Sequence, residues 1–228
     1  MNIKSLITPI LCGIVIAAST LSANAHAVWA TIKDGNVTFA LRHNVWGESY
    51  ERYTAYVSDI KPTAGKKSIE LGVPVIGARS GKLPQGSTVV TAEAKRGVDK
   101  GQENFVAVFY AKAAISERAA SMRVGSDFEV IPEIKGGKVH VNVYRTGKLM
   151  SGVKVSVYWP GREEPYIAES DGNGHAVIEL PTGFQTAGVV GVHAVTYIDE
   201  PVMYEGKQYP KTAIQTTVSF PIKLAKRR

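Results

Sequence analysis

The sequence predicts an all-β protein built from antiparallel β-sandwiches. Apolar and polar residues alternate in several short segments, and residues 153–159 place their valines on one face of such a strand. Turn-forming glycine, proline, asparagine and aspartate separate these segments at intervals typical of sandwich folds. Only residues 111–122 have a partly helical pattern, and they could equally continue the strand before them.

The strands can be assigned in chain order. The alternating segments lie at 37–41, 139–144, 153–159 and 214–220, and the run at 105–110 is apolar on both faces. A strand that is apolar on both faces suits the centre of a sandwich. The turns between them are predicted at Asp34-Gly35-Asn36, Pro84-Gln85-Gly86, Gly136-Gly137, Pro160-Gly161 and Asp171-Gly172-Asn173-Gly174.

A signal peptide followed by two sandwich domains is the predicted organisation. Residues 1–25 carry a positive Lys4, an apolar stretch over 6–18 and an Ala-x-Ala cleavage motif at 23–25. Proline and glycine between 131 and 137 suggest an interdomain joint, which gives domains at 26–131 and 132–228. A single elongated sandwich is the alternative.

The composition argues against several classes of protein. The formal net charge of +7 comes without a basic, aromatic-studded face, so no nucleic-acid partner is expected. Cys12 is the only cysteine and lies in the signal peptide, so the mature chain has no disulfide and no thiolate ligand. No second stretch of 18 apolar residues exists, so no transmembrane segment is expected in the mature chain.

No catalytic signature points to an enzyme. The sequence lacks a G-x-S-x-G elbow, an H-E-x-x-H zinc motif and a glycine-rich phosphate loop. We therefore predict that the protein is not an enzyme. The Asp171–Gly174 segment lacks the spacing and the closing glutamate of a calcium loop, and a β-turn is the prediction there.

His26 is the most informative residue, because processing decides its chemistry. A cut after Ala25 makes it the first mature residue, with an α-amine and an imidazole that can chelate a transition metal. A cut after Ala23 puts His26 in third place, where amine, backbone nitrogens and imidazole form a square-planar cage suited to Cu(II) or Ni(II). A cut after Ala27 removes it.

Two further histidines are predicted to be ligands beside His26. His43 ends an alternating strand at a loop, and His193 lies within the strand-like segment 191–195. His26, His43 and His193 form the predicted metal site, with His175 beside a turn and His140 among valines as weaker candidates. Imidazole nitrogens without thiolates suit late divalent ions such as Ni²⁺, Cu²⁺ or Zn²⁺.

Several segments occur in an order that resembles a known family. They are Ala25–Trp29, Leu41–Asn44 with Gly47-Glu48, Phe109–Ala113, Val124–Pro132, and Arg145–Gly152 followed by Ser170–Gly174. Together they resemble the DUF4198 family, exported proteins described as periplasmic components of nickel or cobalt uptake. The resemblance implies an Ig-like domain at 26–131 and a transthyretin-like or carboxypeptidase-regulatory-like domain at 132–228.

The resemblance also implies a function. The protein would capture Ni²⁺ or Co²⁺ in the periplasm and assist delivery of the ion to an inner-membrane transporter, with Cu or Zn as other possible ions. A periplasmic copper carrier is the second hypothesis, and a structural or adhesive β-sandwich module without metal is the third. An oxidative enzyme with an N-terminal histidine copper brace is the least favoured alternative.

Overall fold

The computed structural model describes residues 26–100, 103–180 and 187–223, which form an all-β sandwich. The predicted signal peptide and its cleavage sites before His26 lie outside the described residues. The strands are β1 (Ala27–Lys33), β2 (Asn36–Arg42), β3 (Lys61–Ala64), β4 (Lys67–Ser68), β5 (Ala78–Lys82), β6 (Val89–Lys100), β7 (Glu103–Ala114), β8 (Phe128–Lys135), β9 (Lys138–Arg145), β10 (Lys148–Leu149), β11 (Lys154–Tyr158), β12 (Tyr166–Glu169), β13 (His175–Glu179), β14 (Gly188–Ile198), β15 (Val202–Tyr204), β16 (Lys207–Tyr209) and β17 (Thr212–Ile222).

The two helical segments of the described residues are short. A 3-10 turn spans Glu51–Tyr56, and helix α1 spans Glu117–Ala120. The Ser116 hydroxyl caps α1 by accepting from the Ala119 N–H, as a serine at this position commonly does. The segment 111–122 is thus divided between the end of β7 and this single turn. No helix of the described residues is long and apolar enough to cross a membrane.

The strands form three layers. The central sheet has the order β12-β11-β14-β17-β7-β6-β3-β4, the N-terminal outer sheet contains β1, β2 and β5, and the C-terminal outer sheet contains β8, β9, β10 and β13. The outer sheets cover opposite faces of the central sheet. In β17, Thr217 and Ser219 donate hydrogen bonds to β1 carbonyls, whereas Val218 and Phe220 pack into the core below the C-terminal outer sheet.

One strand pair differs from the predicted antiparallel arrangement. β17 pairs with β7 in parallel, from Thr212 opposite Val106 to Ser219 opposite Ala113. These strands come from distant parts of the chain, so no short hairpin connection fixes their direction. The all-β sandwich prediction is confirmed, but its central sheet is mixed rather than purely antiparallel.

Two hydrophobic cores lie on the two sides of the central sheet. Val28, Phe39 and Phe109 belong to the core below the N-terminal outer sheet. Phe128 and Phe220 belong to the core below the C-terminal outer sheet. Full burial of each such side chain stabilises the fold by about 1.5–3 kcal/mol, so these cores can hold the chain without a disulfide.

The residues predicted as an interdomain joint form the hairpin between β8 and β9. Gly136 and Gly137 both have positive φ, 59° and 75°, between the paired residues Lys135 and Lys138. Positive φ at both central residues is the requirement of a type I′ turn, which glycine meets without strain. Residues 131–135 therefore belong to β8, and the division into domains at 26–131 and 132–228 stays a prediction.

Candidate metal site

The β1–β2 hairpin brings His26 and His43 together. Its register runs from Lys33 opposite Asn36 to Ala27 opposite Arg42, and one further step places His26 opposite His43. The two imidazole ring centroids lie 3.7 Å apart, with an interplanar angle of 43°. Two of the three predicted ligands thus meet at the open end of one hairpin.

Tyr53 supports the His26 ring from the 3-10 turn. Its Oη atom lies 2.8 Å from His26 Nε2, and the ring centroids are 4.8 Å apart in an edge arrangement. When Nε2–H donates to Tyr53, the lone pair of the imidazole is on Nδ1. Outer-shell hydrogen bonds of this type fix the tautomer and orientation of metal-binding histidines. The Arg52 guanidinium lies over the Tyr53 ring, 4.8 Å from its centroid.

The loop after His43 is held in place by its own hydrogen bonds. The Asn44 side chain accepts from the Trp46 N–H at 3.0 Å, and the Trp46 indole donates to the Val189 carbonyl at 2.9 Å. This second bond ties the loop to β14. His43 is exposed and His26 half-buried, so the pair lies where an ion from solvent can reach it.

His193 occupies a different environment from this pair. It is 2 % exposed in β14, and its Nε2 lies 3.1 Å from Gln215 Oε1. Burial lowers the pKa of His193 to about 4, against the weaker opposing effect of the Gln215 hydrogen bond. The imidazole is therefore neutral near pH 7. Its role as a third ligand stays a prediction.

Trp29 packs over the same face of β14. Its ring centroid is 6.4 Å from that of His193, and its edge meets Tyr158 at 5.4 Å. A Cβ at Gly191 would lie 2.8 Å from the Trp29 ring. The glycine in the Gly191-Val192-His193 segment therefore leaves room for this indole.

The structure also pairs the two weaker candidates. His140 Nδ1 lies 3.3 Å from His175 Nε2, and the two rings are nearly parallel, with an interplanar angle of 11°. Alternation with valines in the sequence indicates that His140 faces solvent, whereas His175 is predicted only to lie beside a turn. Only the pairing of β9 with β13 shows that they are neighbours.

A larger ligand cluster is absent from the described ranges. No group of three or more histidine, cysteine, aspartate or glutamate side chains is positioned to hold a metal ion in residues 26–100, 103–180 and 187–223. The His26–His43 pair can supply two imidazole nitrogens to an ion.

Comparisons with known proteins assign this chain to no family. No protein-family model matches the chain, and no curated protein matches it. The BSP domain of a biofilm-associated protein is 13% identical over 89% of this chain, with a TM-score of 0.26, and this chain spans only 30% of its length. The D00-D0 domain of intimin is 13% identical, covering 85% of this chain and 96% of its own, with a TM-score of 0.21.

Proposed function

We propose that the protein is an exported metal-binding protein that captures a divalent transition metal with His26 and His43. One observation carries the proposal: the two imidazoles lie 3.7 Å apart at the open end of the β1–β2 hairpin. Histidine pairs held by a rigid scaffold are common components of Ni²⁺, Cu²⁺ and Zn²⁺ sites.

Processing after Ala25 would complete the ligand set. The new α-amine and Nδ1 of His26 can chelate one ion, and His43 supplies another nitrogen from the opposite strand. In this arrangement the Tyr53 hydroxyl accepts from His26 Nε2–H, at the 2.8 Å separation seen here. After a cut at Ala23, His26 would instead close a square-planar cage, with His43 beside it.

Nickel or cobalt is the proposed cargo, and delivery to an inner-membrane transporter is the proposed role. Support for both comes from the resemblance to DUF4198 and from a ligand set without thiolates. Neutral imidazoles bind the ion in the periplasm. Protonation of the ligands or competition by a partner protein releases it.

A copper carrier is the second candidate, favoured by the all-nitrogen ligand set. Such a set binds Cu²⁺ more tightly than Ni²⁺ whatever its biological cargo, because this order is intrinsic to the ions. Relative affinity therefore does not separate the two candidates. The metal content of protein recovered directly from the exporting cell distinguishes a nickel or cobalt carrier from a copper carrier.

The test begins with the intact mass of the exported protein, which identifies the mature first residue. Untagged protein is then titrated with Ni²⁺, Co²⁺ and Cu²⁺, together with His26→Ala, His43→Ala and Tyr53→Phe. Thr38→Val is the control, because Thr38 lies in the same hairpin and bonds to Ser80 rather than to a histidine.

His26→Ala and His43→Ala are each expected to bind one ion fewer than the wild type. Tyr53→Phe is expected to bind the ion about tenfold or more weakly, because it loses the hydrogen bond that orients His26. Thr38→Val should bind like the wild type. Unchanged stoichiometry and affinity in His26→Ala and His43→Ala would overturn the proposal. A wild-type protein that binds none of the three ions would favour the structural or adhesive module.

A further inference from the structure

We propose that His140 and His175 form a second metal site, separate from His26 and His43, that takes one divalent transition ion. The pair lies on the outer face of the C-terminal outer sheet. Its ligands come from β9 and β13, whereas the first pair comes from the β1–β2 hairpin. This second site does not depend on the function proposed above.

Sheet register places these two side chains on one face. His140 is opposite Val177 and His175 is opposite Asn142, so the histidines are diagonal neighbours across β9 and β13. Diagonal neighbours on one sheet face are within reach when their side chains are long. Residues 139 and 141 point the other way and are fully buried, which prevents the strand from rotating.

A rigid turn fixes the start of β13. One Asp171 carboxylate oxygen accepts from the Asn173 N–H at 2.8 Å and from the His175 N–H at 3.0 Å. These bonds hold the pKa of Asp171 below its usual value, since they stabilise the charged carboxylate. The turn that precedes His175 therefore positions its backbone before any ion arrives.

The separation of the ring nitrogens suits a metal ion. His140 Nδ1 and His175 Nε2 lie 3.3 Å apart. Two nitrogens bound to a tetrahedral zinc ion with bonds of about 2.0–2.1 Å are about 3.3–3.4 Å apart. The χ2 torsion of histidine is broad, so small ring rotations can direct both lone pairs to one point.

Binding requires a defined proton arrangement. Without an ion, one nitrogen of the pair donates a proton to the other. With an ion, the proton of the donor imidazole moves to its outer nitrogen, through exchange with solvent, and the acceptor imidazole already carries its proton there, so both inner nitrogens present lone pairs. The imidazoles stay neutral, so the exchange changes neither oxidation state nor net proton number.

The surroundings offer space for an ion and its water ligands, and a carboxylate nearby. The histidines line a surface cavity of about 280 Å³, which is large enough for an ion and its water ligands. Glu133 lines the same cavity and is directly opposite His140 in the β8–β9 register. Its carboxylate adds negative charge next to His140, Lys135 lines the same cavity, and water can complete the coordination.

The test uses the untagged full chain with His26→Ala and His43→Ala, so that the first pair cannot bind. Zn²⁺ and Ni²⁺ are titrated by calorimetry, and imidazole signals are followed by NMR. One bound Zn²⁺ is expected, with shifts at His140 and His175 and paramagnetic broadening of the same signals by Ni²⁺.

Further variants in this background locate the ion. His140→Gln and His175→Gln keep a polar side chain of similar reach, and each should weaken Zn²⁺ binding at least about tenfold. Val177→Thr is the matched control, because residue 177 is opposite His140 and the substitution preserves shape and β-branching. It should bind Zn²⁺ with the same affinity as the His26→Ala, His43→Ala parent chain.

Two results would overturn the second site. One is no saturable binding by the His26→Ala, His43→Ala chain up to about 1 mM Zn²⁺. The other is saturable binding that both glutamine variants retain, or that leaves the His140 and His175 signals unmoved. The NMR readout on the parent chain decides the matter even if a glutamine variant fails to fold.

Discussion

The Lys112 and Glu129 side chains form an ion pair inside the protein. Both are nearly fully buried, with 3.5 Å between Lys112 Nζ and Glu129 Oε1. The carboxylate also accepts from the N–H groups of Val124 and Gly125, at 2.7 and 3.3 Å, and Lys112 donates to the Met122 carbonyl. Two segments of the family resemblance, 109–113 and 124–132, therefore meet through this pair.

Removal of one partner from this pair should destabilise the protein severely. Glu129→Ala would leave a buried lysine without its counter-charge, and a loss of about 3–5 kcal/mol in unfolding free energy is expected. Urea denaturation measures this loss. Glu179→Ala, which removes the exposed partner of Lys138, is the control and should have a much smaller effect. Equal effects of the two substitutions would contradict this account.

His193 should make the fold sensitive to acid. Its pKa is about 4 in the folded protein, lowered mainly by burial and slightly by Lys154, against an ordinary value of 6.5. Between these values the unfolded chain takes up a proton that the folded chain does not. Stability attributable to this residue is therefore unaffected above pH 6.5 and falls by about 3 kcal/mol as the pH drops to 4.

The measurement is urea denaturation of wild type and His193→Gln from pH 7.5 to pH 4. The variant should lose less stability than the wild type over the acid interval, because glutamine does not titrate. Carboxylates contribute equally to both proteins, so the difference between the two curves isolates His193. Parallel curves would show that the buried imidazole does not control this pH dependence.

At the scale of elements, β1 depends on contacts with both β17 and β14 of the central sheet. Thr217 donates to the Val28 carbonyl at 2.7 Å and Ser219 donates to the Ala30 carbonyl, so hydroxyls of β17 satisfy the free edge of β1. Trp29 fills the space above Gly191. These contacts hold the β1–β2 hairpin, which carries His26 and His43, against the central sheet.

Gly191→Ala tests how closely the β1–β2 hairpin packs on the central sheet. The added Cβ would lie 2.8 Å from Trp29 Cζ3 and 3.0 Å from Val45 Cβ, so the indole or the β1–β2 hairpin must shift. A loss of about 1–3 kcal/mol in thermal or urea unfolding is expected from this overpacking. Gly172→Ala is the control, since its Cβ would meet no atom within 4 Å. Comparable losses for both would contradict the packing account.

For the whole molecule, the parallel pair β7–β17 joins strands from both predicted domains into one sheet. Unfolding of the chain should therefore be a single cooperative transition, with circular dichroism and tryptophan fluorescence changing together. A fragment of residues 26–131 would lack β17 and expose the edge of β7, so it should aggregate or stay unfolded. Two separate transitions, or a folded fragment, would instead support independent domains.

Sequence patterns predicted the elements better than their arrangement. Four of the five segments assigned as strands lie within β2, β7, β9 and β17, and the fifth, 153–159, extends one residue beyond each end of β11, because face alternation and apolar runs are local signals. The parallel pairing of β7 with β17 carries no such signal. The turn predicted at Gly136-Gly137 is confirmed, but only the structure shows that this turn joins β8 to β9 in a hairpin.

The same distinction between local and long-range information applies to the candidate metal site. The sequence by itself determined the β-sandwich class and the supply of nitrogen ligands in a chain whose only cysteine is Cys12. Tertiary structure alone decided which histidines meet: His26 with His43, and His140 with His175, whereas His193 is buried against Gln215. The physical reason is that strand register and sheet pairing set the distance between side chains, and these depend on contacts between residues far apart in the chain.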